Sequence, residues 1–282
     1  MDVVRAMSPE ESSAPAGLLD APWGGHRPNW AQRLLIGLAR RTFLHHGRMR
    51  LHMTGLIMRL GWPLDVEFRG CRYRIEGRNN LMDFGLLLHP TYNGREIAFL
   101  TEACGAGGVF VDIGANIGLY SLPLARAIGG LGKVISIDAN PGVLARLIFN
   151  AKSSGLEQVV PVHCAVGGHV GQVDLAIRRG DLSIVSVEER AGGAVPMRPL
   201  LEILAGLGVE RIDALKIDIE GHEDAALVPF FAAADGALLP RRVVVEFADI
   251  NGADYPGCAE AFRRLGYRLA GRTRNNSLYQ RE

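Results

Sequence analysis

The stretch Gly108-Val-Phe-Val-Asp-Ile-Gly-Ala-Asn-Ile-Gly118 decides the fold of this 282-residue chain. Residues 109 to 111 are apolar and β-branched or aromatic, and Asp112 follows them, which is typical of a buried strand of a parallel sheet that ends in an acid. Gly114 and Gly118 allow a tight turn and the close approach of a ligand, and the apolar residues from Leu119 onward indicate a helix. The stretch therefore predicts a strand, a glycine turn and a helix, with a nucleotide-like ligand at the turn.

The spacing of the glycines narrows the class of ligand. A dinucleotide-binding turn has glycine at its first, third and sixth positions, whereas the third position here is Asn116. This difference disfavours a pyrophosphate group, and with it a nicotinamide oxidoreductase. The turn resembles instead the first motif of methyltransferases that use S-adenosylmethionine, a cofactor without phosphate.

Beyond residue 105 the chain alternates between strand and helix patterns. Strands are predicted at 108–112, 133–138, 159–164, 212–218 and 241–247, and helices near 118–129, 141–154, 197–207 and 222–233. Further predictions are a hairpin insertion at 170–187, a helix at 258–265, and a terminal antiparallel pair from 266–269 and 277–280. This order predicts a parallel sheet covered by helices on both faces, with ligands at the carboxyl ends of its strands.

The chain before residue 105 has a different organisation. Residues 1–29 are rich in proline, serine and glycine and predict a mobile leader, whereas 30–104 predicts an accessory region with helices, a hairpin over 66–75 and a helix over 94–104. Residues 30–60 are basic and amphipathic, with no acid between Asp20 and Asp65. Such a segment can lie on an anionic membrane or dock a partner, or its helices can pack on the main domain with arginines in water. Residues 105–282 form the predicted main domain.

Composition and charge exclude several classes of protein. Hydrophobic residues make up 48% of the chain and charged residues 22%, which indicates a globular protein. The net charge of +1 lacks the basic excess of nucleic-acid binders, so we expect no nucleic-acid partner. Four separated cysteines suggest neither a zinc knuckle nor a disulfide framework, and the amino terminus lacks a signal-peptide pattern, which favours the cytoplasm.

Two further strand ends predict contacts with a nucleoside. Asp138 closes the second strand, where a carboxylate can accept both ribose hydroxyl protons, while Asn140 before Pro141 is the better helix cap. After the third strand, backbone groups around Cys164 and Ala165 can bind an adenine edge or simply end a strand.

The second dense motif is Lys216-Ile-Asp-Ile-Glu-Gly-His-Glu223, after a strand that starts at Ile212. Strand alternation puts Lys216, Asp218 and Glu220 on one side, before Gly221 turns the chain into a helix. So many charges are costly unless they face a ligand or one another. The motif is therefore either a site or a structural pairing of Lys216 with the acids.

Together the VDIGANIG, Asp138-Ala-Asn-Pro141, HCAVG, KIDIEGHE and VVVEF runs resemble the FkbM family of S-adenosylmethionine-dependent methyltransferases, over about residues 95 to 250. The resemblance implies an α/β class I methyltransferase fold, with a Rossmann-like, mostly parallel sheet and a terminal antiparallel strand. It also implies methyl transfer to a hydroxyl oxygen. Asp138 departs from the glutamate that the family more often has before proline, and the shorter carboxylate should keep the ribose role.

These arguments assign a role to each candidate residue. The cofactor-binding set is Asp112, Gly114, Ala115, Asn116, Gly118, Asp138 and Ala165. An alcohol needs a base to become a good nucleophile. His222 is the first candidate, although it can instead cap the new helix or point to solvent, and Asp218 is the second. Glu220, Glu223 and Glu246 are expected to bind acceptor hydroxyls.

The expected function is thus S-adenosylmethionine-dependent O-methylation of a sugar-like, lipid-linked or secondary-metabolite hydroxyl. Partners would be a small-molecule or glycan acceptor and, through residues 30–60, the periphery of a membrane. A divalent metal held by Asp218, Glu220 and Glu246 is a less favoured addition, because sequence proximity does not fix coordination geometry. The alternative is a non-catalytic module that keeps the fold and is recruited to a membrane or partner.

Overall fold

A computed structural model describes residues 17–76, 81–177, 185–189, 192–249 and 251–282. Its strands are β1 (Leu64–Phe68), β2 (Cys71–Ile75), β3 (Val109–Ile113), β4 (Lys133–Asp138), β5 (Val159–His163), β6 (Ala165–Val166), β7 (Gly171–Ile177), β8 (Val185–Glu189), β9 (Val195–Arg198), β10 (Ala214–Ile217), β11 (Arg242–Glu246), β12 (Tyr267–Arg272) and β13 (Asn276–Arg281). Its helices are α1 (Trp30–Arg41), α2 (Gly47–Arg59), α3 (Leu81–Leu88), α4 (Gly94–Cys104), α5 (Ser121–Ile128), α6 (Pro141–Ser154), α7 (Leu200–Gly206), α8 (Glu223–Ala233) and α9 (Pro256–Arg264), with a 3₁₀ turn at Phe43–His45.

The main sheet has seven strands in the order β12-β13-β11-β10-β3-β4-β5. Strands β11, β10, β3, β4 and β5 run parallel, and β13 pairs antiparallel with both β11 and β12. The predicted α/β class, with a mostly parallel sheet and a terminal antiparallel pair, is confirmed. Buried side chains cover both faces, and the carboxyl ends of the parallel strands meet at one edge.

A second, four-stranded sheet in the order β6-β9-β7-β8 follows β5. Strands β7 and β8 form the predicted hairpin, and residues 178–184 between them lie outside the described part of the chain. The helix predicted over 197–207 was wrong at its start. Residues Val195–Arg198 form β9, and α7 begins only at Leu200, after Pro199.

Residues 17–29 are packed on the β1–β2 hairpin, in contrast to the predicted mobile leader. The buried guanidinium of Arg74 on β2 donates hydrogen bonds to the carbonyl oxygens of Leu18, Ala21 and Pro22. It also pairs with Asp65, at 2.7 Å between Nε and Oδ1. These contacts arise from residues about 50 positions apart, so local composition does not reveal them. Residues 1–16 of that prediction lie outside the described residues.

The two accessory helices, α1 and α2, pack on the main domain through one face and expose the other. Gln32 caps α1 together with Asn29, and its amide reaches the carbonyl oxygens of Ile57 and Gly61 at the end of α2. One hydrophobic cluster extends from Ile57 into the main sheet. No described helix combines the length and the apolar character needed to cross a membrane.

Candidate active site

A cavity of about 400 Å³ lies at the carboxyl edge of β3, β4, β10 and β11. Its described lining comprises Met82, Tyr92, Ile113, Gly114, Asn116, Ile137, Asp138, Ala139, Asn140, Val143, Cys164, Ala165, Val166, Gly167, Gly168, Leu175, Met197, Asp218, Ile219, Glu220, His222, Ala225, Glu246 and Asn275. The topology thus brings both dense sequence motifs to one site, as expected for a parallel α/β sheet.

The glycine turn between β3 and α5 is fixed by its neighbours. Gly114 has φ +73°, and a Cβ atom there would overlap the backbone carbonyl oxygen of Asp218. The amides of Gly114 and Ala115 both donate to the carbonyl oxygen of Ile137 on β4. The turn therefore lies directly between the ends of β4 and β10, where a side chain at residue 114 has no room.

Asp138 organises the second strand end. Its two carboxylate oxygens accept hydrogen bonds from the backbone amides of Asn116 and Asn140, each at 2.8 Å. Burial raises the pKa of Asp138 to about 6, and these two hydrogen bonds oppose the rise. Asn140 caps α6 by accepting from the amide of Gly142, as predicted, whereas the ribose role of Asp138 stays a prediction.

Lys216 is a buried cation between two acids. Its Nζ lies 3.6 Å from Oδ1 of Asp112 and 3.7 Å from Oδ2 of Asp218, and it donates to the carbonyl oxygen of Gly114 at 2.8 Å. Burial lowers the pKa of Lys216, but the carboxylates of Asp218 and Asp112 outweigh this effect, so the pKa is raised overall. The structural pairing considered for Lys216 is therefore present, and it ties the glycine turn to β10.

Three carboxyl groups face one another at the open side of the cavity. Oxygen atoms of Asp218, Glu220 and Glu246 lie within 4.8 Å of one another, a set that could also hold a divalent cation. Burial raises the pKa of Glu246 to about 9, with the charge of Asp218 and a hydrogen bond to it as further causes. Glu246 is therefore protonated at neutral pH and donates to Asp218. Glu220 has φ +56°, an uncommon value for a residue other than glycine.

His222 precedes α8 and lines the cavity. It occupies the N-cap position, but its side chain makes no capping hydrogen bond. The capping role weighed for His222 is therefore not observed, and the two carboxylate oxygens of the next residue, Glu223, accept from the amides of Ile219 and Gly221 in the turn before α8.

The structure brings eight of the sequence-predicted site residues to the cavity wall and four behind it. Those on the wall are Gly114, Asn116, Asp138, Ala165, Asp218, Glu220, His222 and Glu246. Asp112 is buried, and its Oδ2 accepts from Ser121. Ala115 is buried too. A Cβ atom at Gly118 would overlap the side chain of Leu122. Glu223 is buried behind the turn that precedes α8. These four residues do not line the cavity, and their roles in binding the cofactor or the acceptor stay predictions.

Some residues on the cavity wall were not predicted from the sequence, because they lie outside the predicted alternation of parallel strands and helices. Tyr92 comes from the connection between α3 and α4, Met197 from β9, and Asn275 from the turn between β12 and β13. Tyr92 packs so closely on Gly85 that a Cβ there would overlap its ring. The signal in the sequence was the glycine within the mostly apolar helix α3.

The described lining fits an adenine nucleoside without phosphate. Apolar side chains such as Val143, Leu175 and Met197 provide a surface for a flat ring, and the Asp138 carboxylate faces the same space. Among the described lining residues there is no lysine or arginine, the usual partners of a phosphate. The donor and acceptor set therefore suits S-adenosylmethionine.

Several solved structures are similar to this chain at low identity. M. jannaschii TYW2 in complex with AdoMet is 15% identical with a TM-score of 0.42, covering 78% of this chain and 87% of that one. An O-methyltransferase from Thermotoga maritima is 14% identical with a TM-score of 0.43, covering 68% and 65%. Precorrin-6y C5,15-methyltransferase from Geobacter metallireducens GS-15 is 12% identical with a TM-score of 0.41, covering 68% and 89%. No curated protein matches the sequence.

The family comparison is decisive. The model of the methyltransferase FkbM domain matches residues 112–269, which include the glycine turn, Asp138 and the whole Lys216 to Glu223 motif. The match spans more than half of the chain. The chain therefore belongs to the FkbM family and is an S-adenosylmethionine-dependent methyltransferase.

Proposed function

We propose that the methyl group goes to a hydroxyl oxygen of a sugar-like, lipid-linked or secondary-metabolite acceptor. The observation that supports this most is the cluster of Asp218, Glu220 and Glu246 beside the cavity. Carboxyl groups bind neutral hydroxyls well and repel phosphodiesters, so the cluster suits a polyol better than a nucleic acid.

S-adenosylmethionine, when bound, supplies a methyl group on a sulfonium, which is a good leaving group. The residues that would hold it are Gly114, Asn116, Asp138 and Ala165, with the Asp138 carboxylate accepting from the ribose hydroxyls. Asp112 and Lys216 would act indirectly, because they fix the glycine turn from behind.

The protein must also remove the proton of the acceptor hydroxyl. Asp218 and His222 both line the cavity and are the candidate bases. Glu246 carries a proton at neutral pH and donates it in a hydrogen bond to Asp218, which orients that carboxylate. Glu220 and Glu246 would in addition hold the acceptor's other hydroxyls.

The test of O-methylation uses cofactor labelled with ¹³C at the methyl group. The protein is incubated with fractionated cell extract, and the labelled product is isolated and examined by NMR. A methyl carbon attached to oxygen is expected, and attachment to nitrogen or carbon would contradict the proposal. Asp218→Asn and His222→Asn separate the two bases, since only loss of the true base lowers kcat while leaving S-adenosylhomocysteine binding unchanged.

We also propose that the accessory helices bind the surface of an anionic bilayer. On α1 the exposed fractions are 75% for Trp30 and 65% for Leu34, and that of the neighbouring Phe43 is 72%, so the outward face is apolar. In the sequence these side chains alternate with arginines, and no acid occurs between Asp20 and Asp65. Apolar side chains with arginines beside them suit anionic headgroups, whereas an exposed helix in water would be polar there.

Vesicle flotation tests this surface. We expect the protein to float with phosphatidylglycerol vesicles and not with pure phosphatidylcholine, and Leu34→Ser with Leu38→Ser should abolish flotation. Leu131→Ser is the matched control, because Leu131 is 96% exposed but lies outside the accessory helices. Failure to float, or a dimer in sedimentation that the two serines dissociate, would overturn the proposal.

A further inference from the structure

Three histidines meet outside the methyl-transfer site. His45 ends the 3₁₀ turn between α1 and α2, His46 follows it, and His89 directly follows α3. One ring nitrogen or more from each lies within 4.8 Å of the others, and the ring centroids are 3.9, 4.9 and 5.6 Å apart. Three neutral imidazoles are a ligand set that zinc accepts, with a water molecule as fourth ligand.

The hydrogen bonds of two of these histidines use Nδ1, which suits binding of a metal through Nε2. Nδ1 of His45 lies 3.0 Å from the carbonyl oxygen of Ala39, so it donates there. Nδ1 of His89 lies 3.4 Å from the hydroxyl of Thr91. A histidine that binds a metal through Nε2 commonly donates from Nδ1 to such an oxygen, which fixes the tautomer and the ring. In His45 and His89, Nε2 is therefore on the opposite side of the ring from the oxygen that Nδ1 contacts.

We propose that His45, His46 and His89 bind a zinc ion. His45 and His89 are half-buried and His46 is exposed, so the site is open to water on one side. Arg50 lies close enough to act electrostatically on His89, and its positive charge reduces the affinity. The site differs from the Asp218, Glu220 and Glu246 cluster in position and in ligand type.

A metal here would connect two parts of the chain. His45 and His46 lie between the accessory helices α1 and α2, whereas His89 begins the connection that reaches Tyr92 on the cavity wall. The amide of Tyr92 donates to the carbonyl oxygen of His89 at 3.1 Å. Zinc would thus fasten the accessory helices to the segment that lines the cavity and raise the unfolding temperature, because it binds only the folded chain.

Isothermal titration of the full chain with Zn²⁺, without a polyhistidine tag, tests the site. We expect one ion per chain, and a Kd at least about tenfold higher in His46→Ala, whose exposed ring contributes little to folding. His45→Ala should behave alike. His52→Ala is the matched control on α2, since His52 is exposed and outside the cluster, and it should bind as the unmodified chain does.

Two results would overturn the proposal. One is an absence of stoichiometric Zn²⁺ binding by the unmodified chain. The other is binding that survives His46→Ala and His45→Ala but is lost in Glu246→Gln, which would assign the ion to the carboxyl cluster. At one Zn²⁺ concentration, the thermal midpoint of the unmodified chain and of His52→Ala should rise by similar amounts, and that of His46→Ala should rise less.

Discussion

As the proposed ribose ligand, Asp138 is expected to make the affinity for the cofactor depend on pH. Its pKa is raised to about 6, so the free protein takes up a proton as the pH falls through that value. Ribose hydroxyls donate hydrogen bonds and need the carboxylate form, so binding must expel this proton. We therefore expect the Kd for S-adenosylhomocysteine to be constant above pH 7 and to rise by up to about tenfold per pH unit below pH 6.

Asp138→Asn is the matched variant for this titration. It keeps the size of the side chain but cannot ionise, so its Kd should be about 10- to 100-fold higher at pH 7.5 and nearly independent of pH. Titration calorimetry from pH 5 to 8 measures both chains. A similar pH dependence in the variant would show that another group causes it.

The buried carboxyl group of Glu246 lowers the stability of the folded chain as the pH rises, and a glutamine at this position would remove that effect. The unfolded chain releases the Glu246 proton near pH 4.5, and the folded chain keeps it until about pH 9. The free energy of unfolding therefore falls as the pH rises between these values. We expect Glu246→Gln to be more stable than the unmodified chain at pH 8 by about 1 to 3 kcal/mol, with a smaller difference at pH 5.

Urea unfolding at both pH values checks this. Methyl-transfer activity should fall as well, because a glutamine amide is a weaker hydrogen-bond donor to Asp218 than the carboxyl group. Glu260→Gln is the control. Glu260 forms an exposed pair with Arg263 and should change stability by less than about 1 kcal/mol. Destabilisation by Glu246→Gln at pH 8 would contradict the raised pKa.

At the scale of elements, apolar runs with glycine at their ends predicted the main sheet well. Strand β4 and helix α6 begin and end where the sequence predicts, because Asp138 and the Asn140-Pro141 cap define the boundary between them. Strand β9 was missed because the helix was predicted to begin near Met197, and only pairing with β6 and β7 makes the segment a strand. Such pairing is a tertiary contact that local propensity does not contain.

The turn between β3 and α5 should tolerate no side chain at Gly114. Gly155 at the end of α6 has a similar φ, +67° against +73°, but has open space around its Cβ position. Gly155→Ala should therefore lower the free energy of unfolding by only about 1 to 2 kcal/mol, the cost of a left-handed backbone conformation in alanine. Gly114→Ala meets the Asp218 carbonyl as well, and we expect a loss above about 3 kcal/mol together with loss of S-adenosylhomocysteine binding. Equal losses in the two variants would show that φ alone matters.

At the scale of the whole molecule, the sequence predicted the two motifs of the site but not the walls around them. Asp138 and Asp218 could be placed because Asp138 ends one strand and Asp218 follows another, and the ends of these strands meet at one sheet edge. Tyr92 and Asn275 reach the cavity from segments whose positions depend on packing between distant elements. The same holds for residues 17–29, whose binding partner Arg74 lies more than 50 positions away from Pro22 and Ala21.

Arg74 is the residue through which the amino-terminal segment, the hairpin and α6 are joined. Its guanidinium binds Asp65 and three carbonyl oxygens and lies 4.3 Å from the ring centroid of Phe149. Removing the cation leaves the buried Asp65 carboxylate without its partner, so Arg74→Met should lower the free energy of unfolding by about 3 to 5 kcal/mol.

Limited proteolysis of Arg74→Met should then cleave within residues 17–29, and Asp65→Asn added to Arg74→Met should recover part of the lost stability. Arg268→Met, which removes an exposed pair with Glu282, should cost less than about 1 kcal/mol. Similar losses for the two arginines would mean that residues 17–29 are held by something other than this buried pair.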